Sequence, residues 1–128
     1  VTKIHALIIE DNADNIEVLQ RLLANEGIAS TQVLDTGRLD EVLHRVEQVD
    51  IVFLDLKMPK SSGYEVFEYL RNDVGLTVPV VAYTVYANQI GNARACGFDS
   101  FLGKPLDPQR FPDQLSKILN GEAVWDTP

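Results

Sequence analysis

Thiols and imidazoles are nearly absent from this sequence: of 128 residues one is cysteine and two are histidine. A single cysteine, Cys96, excludes an internal disulfide and fits a reducing cytoplasm. With no histidine near it in sequence, Cys96 reads as a small packed side chain rather than a nucleophile. The same scarcity argues against zinc, which is held by Cys and His. Basic residues are also few. Eleven Lys and Arg against 19 Asp and Glu give a formal net charge of −8 and a pI near 4.6. Nucleic acid and anionic membranes need a basic surface, so neither is expected as a partner. No apolar run nears the ~18–20 residues of a membrane-spanning helix, and no signal peptide opens the chain. There is no Gly-rich phosphate loop, so any phosphoryl group handled here is not held as part of a nucleotide. What remains is an ordinary globular composition, 45% hydrophobic and 23% charged. The chain is one domain, long enough to bury about two-thirds of its surface.

The organising stretch is Ile51–Asp55 followed by Met58-Pro59. Ile51 to Leu54 is an unbroken β-branched and aromatic run, the signature of a strand covered on both faces. A carboxylate, Asp55, stands where the strand should end, and Pro59 forbids helix at Met58, so a loop follows. A lone acid there would more often cap a loop or helix; the rest of the chain decides otherwise.

Ile4 to Ile9 predicts another buried strand, ending in the pair Glu10-Asp11, and Asn12 is a good N-cap. Ile16, Leu19, Leu22 and Leu23 recur at helical spacing up to Gly27. Ser30–Leu34 reads as a strand, Leu39, Val42, Leu43 and Val46 as a helix, and Tyr64, Phe67 and Leu70 as a third helix entered after Gly63. Val78–Tyr83 and Asp99–Leu102 are strands. Between them Tyr86–Cys96 is a poor helix with Gly91 and Asn92 inside it. Phe111, Leu115, Ile118 and Leu119 stripe a last helix closed by Gly121. Residues 1–121 form the domain and 122–128 a short tail.

Five strands alternating with five helices predict a doubly wound α/β sheet with all strand carboxyl ends on one edge, where such sheets bind ligands. That edge collects Glu10, Asp11, Asp55, Thr84 and Lys104 from four strand ends. Carboxylates ~4–6 Å apart repel by roughly 3–4 kcal/mol per pair at an effective dielectric near 20. Such a cluster takes up protons or a cation, and two or three acids with room for waters favour Mg²⁺. Beside a metal, Lys104 neutralises phosphoryl oxygens, Thr84 donates a hydrogen bond and a carboxylate supplies the nucleophile, an arrangement suited to phosphoryl transfer.

In order and spacing, Glu10-Asp11, Asp55 with Met58-Pro59 and Gly63, Thr84, and Lys104-Pro105 resemble the receiver domain of two-component response regulators over nearly the whole chain. Glu10-Asp11-Asn12-Ala13-Asp14-Asn15 further resembles single-domain regulators and the receivers of hybrid kinases. The resemblance implies a CheY-like, flavodoxin-like (βα)5 fold with a five-stranded parallel sheet in the order 2-1-3-4-5. It implies that Asp55 accepts a phosphoryl group from a sensor histidine kinase or a histidine phosphotransfer protein, and that output runs through protein contacts to a downstream effector. Asp11, Asp55 and the backbone carbonyl of Lys57 would ligate Mg²⁺, with Glu10 helping through water. Thr84 and Phe101 match the switch positions. Phe101 lacks a hydroxyl, so its switching rests on packing, and Val85 stands where a smaller residue is usual. The stretch from Thr84 to Lys104 is a couple of residues shorter than the family pattern, which predicts a short or partly unwound fourth helix.

The expected donor-docking stripe is Asn15, Val18 and Leu22 on the first helix, beside Pro105 and Leu106. Two other readings compete. A metal-dependent aspartate phosphatase would carry Asp-x-Asp after the first strand, where this chain has Glu10-Asp11-Asn12. An unphosphorylated receiver-like interaction domain would have a damaged acid edge, yet all five groups are present. His5 and His44 lie away from that edge and are not expected to serve as ligands or phosphorylation sites.

Overall fold

The two-sided apolar runs find their cover in two layers of helices. The structure is a computed structural model that describes residues 3–127. In chain order it has β1 (His5–Ile9), α1 (Ala13–Asn25), β2 (Ala29–Val33), α2 (Leu39–Arg45), β3 (Ile51–Asp55), α3 (Gly63–Glu68), β4 (Val80–Thr84), α4 (Ile90–Cys96), β5 (Ser100–Gly103), α5 (Phe111–Leu119) and β6 (Trp125–Asp126). Short 3₁₀ turns at Thr36–Arg38 and Ala87–Gln89 lead into α2 and α4, and α3 runs on as a wider π-helical segment over Tyr69–Val74. Every strand pair is parallel and the order is β2-β1-β3-β4-β5-β6. The expected order 2-1-3-4-5 holds, but the expectation of five strands is one short. Trp125 and Asp126 pair with Phe101 and Leu102 and put a sixth strand on the β5 edge. Two residues are too few to carry an alternation signal, so sequence pattern passes over them.

Strand periodicity sorts the core into two halves. Ala6, Ile8, Phe53, Val81, Tyr83 and Leu102 pack against α1 and α5. Leu7, Ile9, Val52, Leu54, Ala82 and Phe101 pack against α2, α3 and α4. Asn12 caps α1 as expected, its side-chain oxygen accepting from the Asn15 N–H at 3.1 Å. Helix α4 is seven residues long, with Ala93 its one buried side chain, and Gly97 ends it at φ +111°. The short fourth helix read from the sequence is what forms. Among the described residues no helix is long and apolar enough to cross a membrane.

Candidate phosphoacceptor site

Parallel strands all leave the sheet at the same edge, and each delivers its polar residue there. Glu10 follows β1 and is 1% exposed; Asp55 ends β3 and is 6% exposed; Thr84 ends β4 and is buried. Lys104 follows β5, tied down by its own N–H, which donates to the Thr84 carbonyl at 2.8 Å. Its ammonium donates to Glu10 Oε2 at 2.5 Å and lies 3.7 Å from Asp55 Oδ2. Asp11, exposed beside them, completes a set in which Glu10, Asp11 and Asp55 each offer an oxygen within 4.8 Å of the others. An all-oxygen set of three carboxylates fits a hard divalent cation.

The electrostatics of the three acids differ. Burial alone would raise Glu10, but the hydrogen bond and charge of Lys104, helped by the Asn12 N–H on Oε1 at 3.1 Å, hold it below the usual glutamate value. Asp55 goes the other way. Burial raises it to about 7; the Lys104 charge opposes the rise and the Glu10 charge adds to it. Asp11 is raised by partial burial and by Glu10. So the buried ammonium favours ionised Glu10, and Asp55 carries the strain of the cluster.

The loop after β3 is folded back over the site by two close approaches. Lys57 and Ser62 form an antiparallel bridge, and the Gly63 N–H donates to the Leu56 carbonyl at 3.0 Å. A Cβ on Gly63 would lie 2.3 Å from the Asp55 carbonyl oxygen, so only glycine lets α3 start this close to the strand that ends in Asp55. Lys57 N–H donates to Asp55 Oδ1 at 3.3 Å, and Tyr86 N–H donates to Thr84 Oγ1 at 3.3 Å. The two side chains then meet: the Lys57 ammonium sits 4.5 Å from the Tyr86 ring centroid. Val85 turns out to solvent. Phe101 is fully buried on the α2–α4 side, in register with Ala82.

Not every residue of the expected docking stripe faces outward. Val18 is 52% exposed and Asn15 half-buried, whereas Leu22 is 9% exposed and belongs to the α1/α5 core. Leu22 is corrected from a surface contact to a core residue. At 3.6 residues per turn Leu22 lies roughly 60° around the helix from Leu19 and Val18 roughly 100°, so the edge of the buried face takes Leu22 and leaves Val18 outside. Pro105 is exposed and Leu106 packs half-buried on that same core. His5 and His44 bond to Thr31 and to the Asp40 carbonyl, outside the acid cluster. The residue that sequence reading missed is Tyr83. It pairs in register with Asp55, lies 1% exposed, and has the Lys104 ammonium 4.2 Å from its ring centroid. Strand alternation from Val81 was the available signal.

A doubly wound parallel sheet with buried acids, an ammonium and a hydroxyl at its carboxyl edge is consistent with a phosphoacceptor site. The sequence profile of the response regulator receiver domain matches residues 6–116, and the chain belongs to that family, the receivers of two-component signalling. It is 34% identical over 125 residues to the osmosensing histidine protein kinase SLN1 of Saccharomyces cerevisiae, covering 91% of this chain and 10% of that protein. The stress response regulator protein 1 of Candida tropicalis is 32% identical over 112 residues, 84% of this chain and 42% of that protein. The chain therefore spans less than half the length of each of these two relatives. By contrast, the polar-differentiation response regulator DivK of Brucella ovis, 28% identical over 120 residues, is matched over 91% of this chain and 96% of its own length. Among solved structures, a response regulator receiver protein from Burkholderia phymatum superposes with a TM-score of 0.79 at 30% identity, covering 92% of this chain and 96% of that one.

Proposed function

We propose that Asp55 takes a phosphoryl group from a phosphohistidine on a sensor histidine kinase or a histidine phosphotransfer protein, in a Mg²⁺-dependent reaction, and that output runs through protein contacts to a downstream effector. A carboxylate oxygen of Asp55 attacks phosphorus, the phosphorus–nitrogen bond breaks, and its electron pair goes to the leaving imidazole nitrogen, which takes up a proton from solvent. The observation that carries this reading is the placement of buried Asp55 beside Asp11, Glu10 and the Lys104 ammonium. Asp11, Asp55 and the Lys57 carbonyl are the groups to hold Mg²⁺, with Glu10 acting through water. When bound, the ion supplies positive charge against the phosphoryl oxygens. Lys104 holds one such oxygen. Thr84 Oγ1 accepts from the Tyr86 N–H, so its own O–H is available to another. Thr84 and Phe101 form the switch, and the receiver unit acts in the cytoplasm, extending past the expected boundary at residue 121 to take in Val124 and β6.

Intact mass after incubation with acetyl phosphate and Mg²⁺ tests the assignment. Wild type is expected to gain one phosphoryl group and Asp55→Asn none, because an amide is no nucleophile. Asp11→Asn is expected to need more Mg²⁺ for the same labelling. An adduct on Asp55→Asn overturns the proposal.

A further inference from the structure

Tyr83 is a buried phenol whose oxygen has no hydrogen-bond partner among the described residues. Folded proteins rarely leave a buried hydroxyl unused, and one left so beside a reactive cluster calls for a reason. Its surroundings supply one. The ring packs edge-on to Phe53 and underlies the Lys104 ammonium at 4.2 Å from its centroid, a cation–π contact. The same ammonium is committed to Glu10 at 2.5 Å and stands 3.7 Å from Asp55. Burial, the charge of Glu10 and the closeness of the hydroxyl to that carboxylate, and the charge of Asp55 keep the phenol protonated, so its O–H remains a donor beside Glu10 without yet meeting hydrogen-bond geometry.

A phosphoryl group on Asp55 would add negative charge next to Lys104 and draw the ammonium toward it. Glu10, 1% exposed, then keeps the Asn12 N–H on Oε1 but loses the donor on Oε2, and a buried carboxylate oxygen without a donor is disfavoured. We propose that Tyr83 is a positioning residue for phosphoryl capture: its ring seats the Lys104 ammonium, and its unused hydroxyl takes over Glu10 when that ammonium turns to a phosphoryl group on Asp55. The inference rests on the reading of Asp55 as phosphoacceptor, but its core, a reserve donor for Glu10, is testable without phosphate. Gln114, whose Oε1 is also buried without a partner, lies near the tail and has its amide nitrogen on Asp126. It plays no part here.

A double-mutant cycle on urea unfolding isolates the hydroxyl. Tyr83→Phe keeps the ring and its contact with Lys104, and is expected to change the unfolding equilibrium constant by no more than about twofold in the wild-type background. In a Lys104→Met background the phenol is engaged by Glu10, and the same change is expected to cost about tenfold or more. Equal effects in the two backgrounds overturn the inference. If Lys104→Met does not fold, the wild-type ¹³Cζ resonance of Tyr83 decides. It is expected to shift when beryllofluoride and Mg²⁺ occupy the site, and a fixed resonance with the site occupied overturns the inference. Tyr83→Phe is further expected to take phosphate from acetyl phosphate about tenfold more slowly. Wild type that takes no phosphate sinks the assignment of Asp55 and leaves the cycle to decide the role of Tyr83. Wild type that labels while Tyr83→Phe labels equally fast sinks the role of Tyr83 alone.

Discussion

At Asp55, burial opposes ionisation, the Lys104 charge favours it and the Glu10 charge opposes it, and the balance lies near pH 7. A carboxyl whose folded pKa is raised binds its proton more tightly folded than unfolded. That preference contributes stability below the ordinary value of about 4, and the contribution is lost as pH rises through about 7. Without Mg²⁺, wild type is therefore expected to lose on the order of 1–3 kcal/mol relative to Asp55→Asn between pH 4 and pH 8, read from urea unfolding. Mg²⁺ is expected to restore it at pH 8, with an affinity that climbs over the same range as the proton is displaced. A wild-type to Asp55→Asn difference that ignores pH would mean Asp55 is ionised throughout. Lys57 and Tyr86, each tied through its N–H to Asp55 or Thr84, meet side chain to side chain, and neither offers a carboxylate or amide to hold a hydrolytic water. The aspartyl phosphate is expected to last many minutes or longer, and Tyr86→Gln to shorten it roughly tenfold, since ~1.4 kcal/mol of barrier suffices. Loss of label from wild type within seconds would show that these two side chains do not control the water.

Elements with long-range apolar patterning were legible; those decided by local hydrogen bonding were not. Strand β3 was read to the residue because Ile51–Leu54 is buried on both faces and Asp55 ends it. The 3₁₀ entries to α2 and α4 and the π-helical continuation of α3 leave the spacing of Leu39, Val42, Phe67 and Leu70 unchanged, so periodicity is blind to them. Strand β6 was missed although it is firmly specified. The Val124 N–H donates to the buried Ser100 hydroxyl at 3.0 Å, and the Phe101 N–H donates to the Val124 carbonyl at 2.8 Å. Asp126 is held by Arg110 at 2.8 Å and Gln114 at 2.9 Å, while Trp125 stacks with Arg94 of α4. Removing residues 123–128 uncovers Val124's site and leaves the Ser100 hydroxyl and the β5 edge without these partners. The expected cost is about 2–4 kcal/mol by urea unfolding. Because Trp125 is the one tryptophan, its fluorescence reports on β6 alone in the intact chain. An unchanged midpoint on truncation would mean the strand contributes nothing to stability.

On the scale of the whole molecule, most of the site was readable because a doubly wound sheet turns chain order into proximity: four strand ends 94 residues apart at the extreme, Glu10 and Lys104, close to hydrogen-bonding distance. The contribution of Tyr83 was not readable, because it depends on side-chain directions that topology leaves open. The docking surface shows the same limit. Helical spacing named Leu22, which the core takes, and Val18, which it leaves half in water. Val18 on α1 and Pro105 are exposed, and Leu106 packs half-buried on the α1/α5 core, so these three are the residues proposed for donor docking. A donor that docks on Val18 would gain roughly 1–2 kcal/mol from burying a valine. Val18→Glu replaces that gain with the cost of desolvating a carboxylate in an already acidic chain, while a glutamate on the solvent side of a helix suits its propensity. Phosphoryl transfer from a phosphotransfer protein is therefore expected to slow about 10–100-fold, with labelling by acetyl phosphate at the wild-type rate. If both activities fall together, the variant has damaged the fold. If neither falls, the donor docks elsewhere.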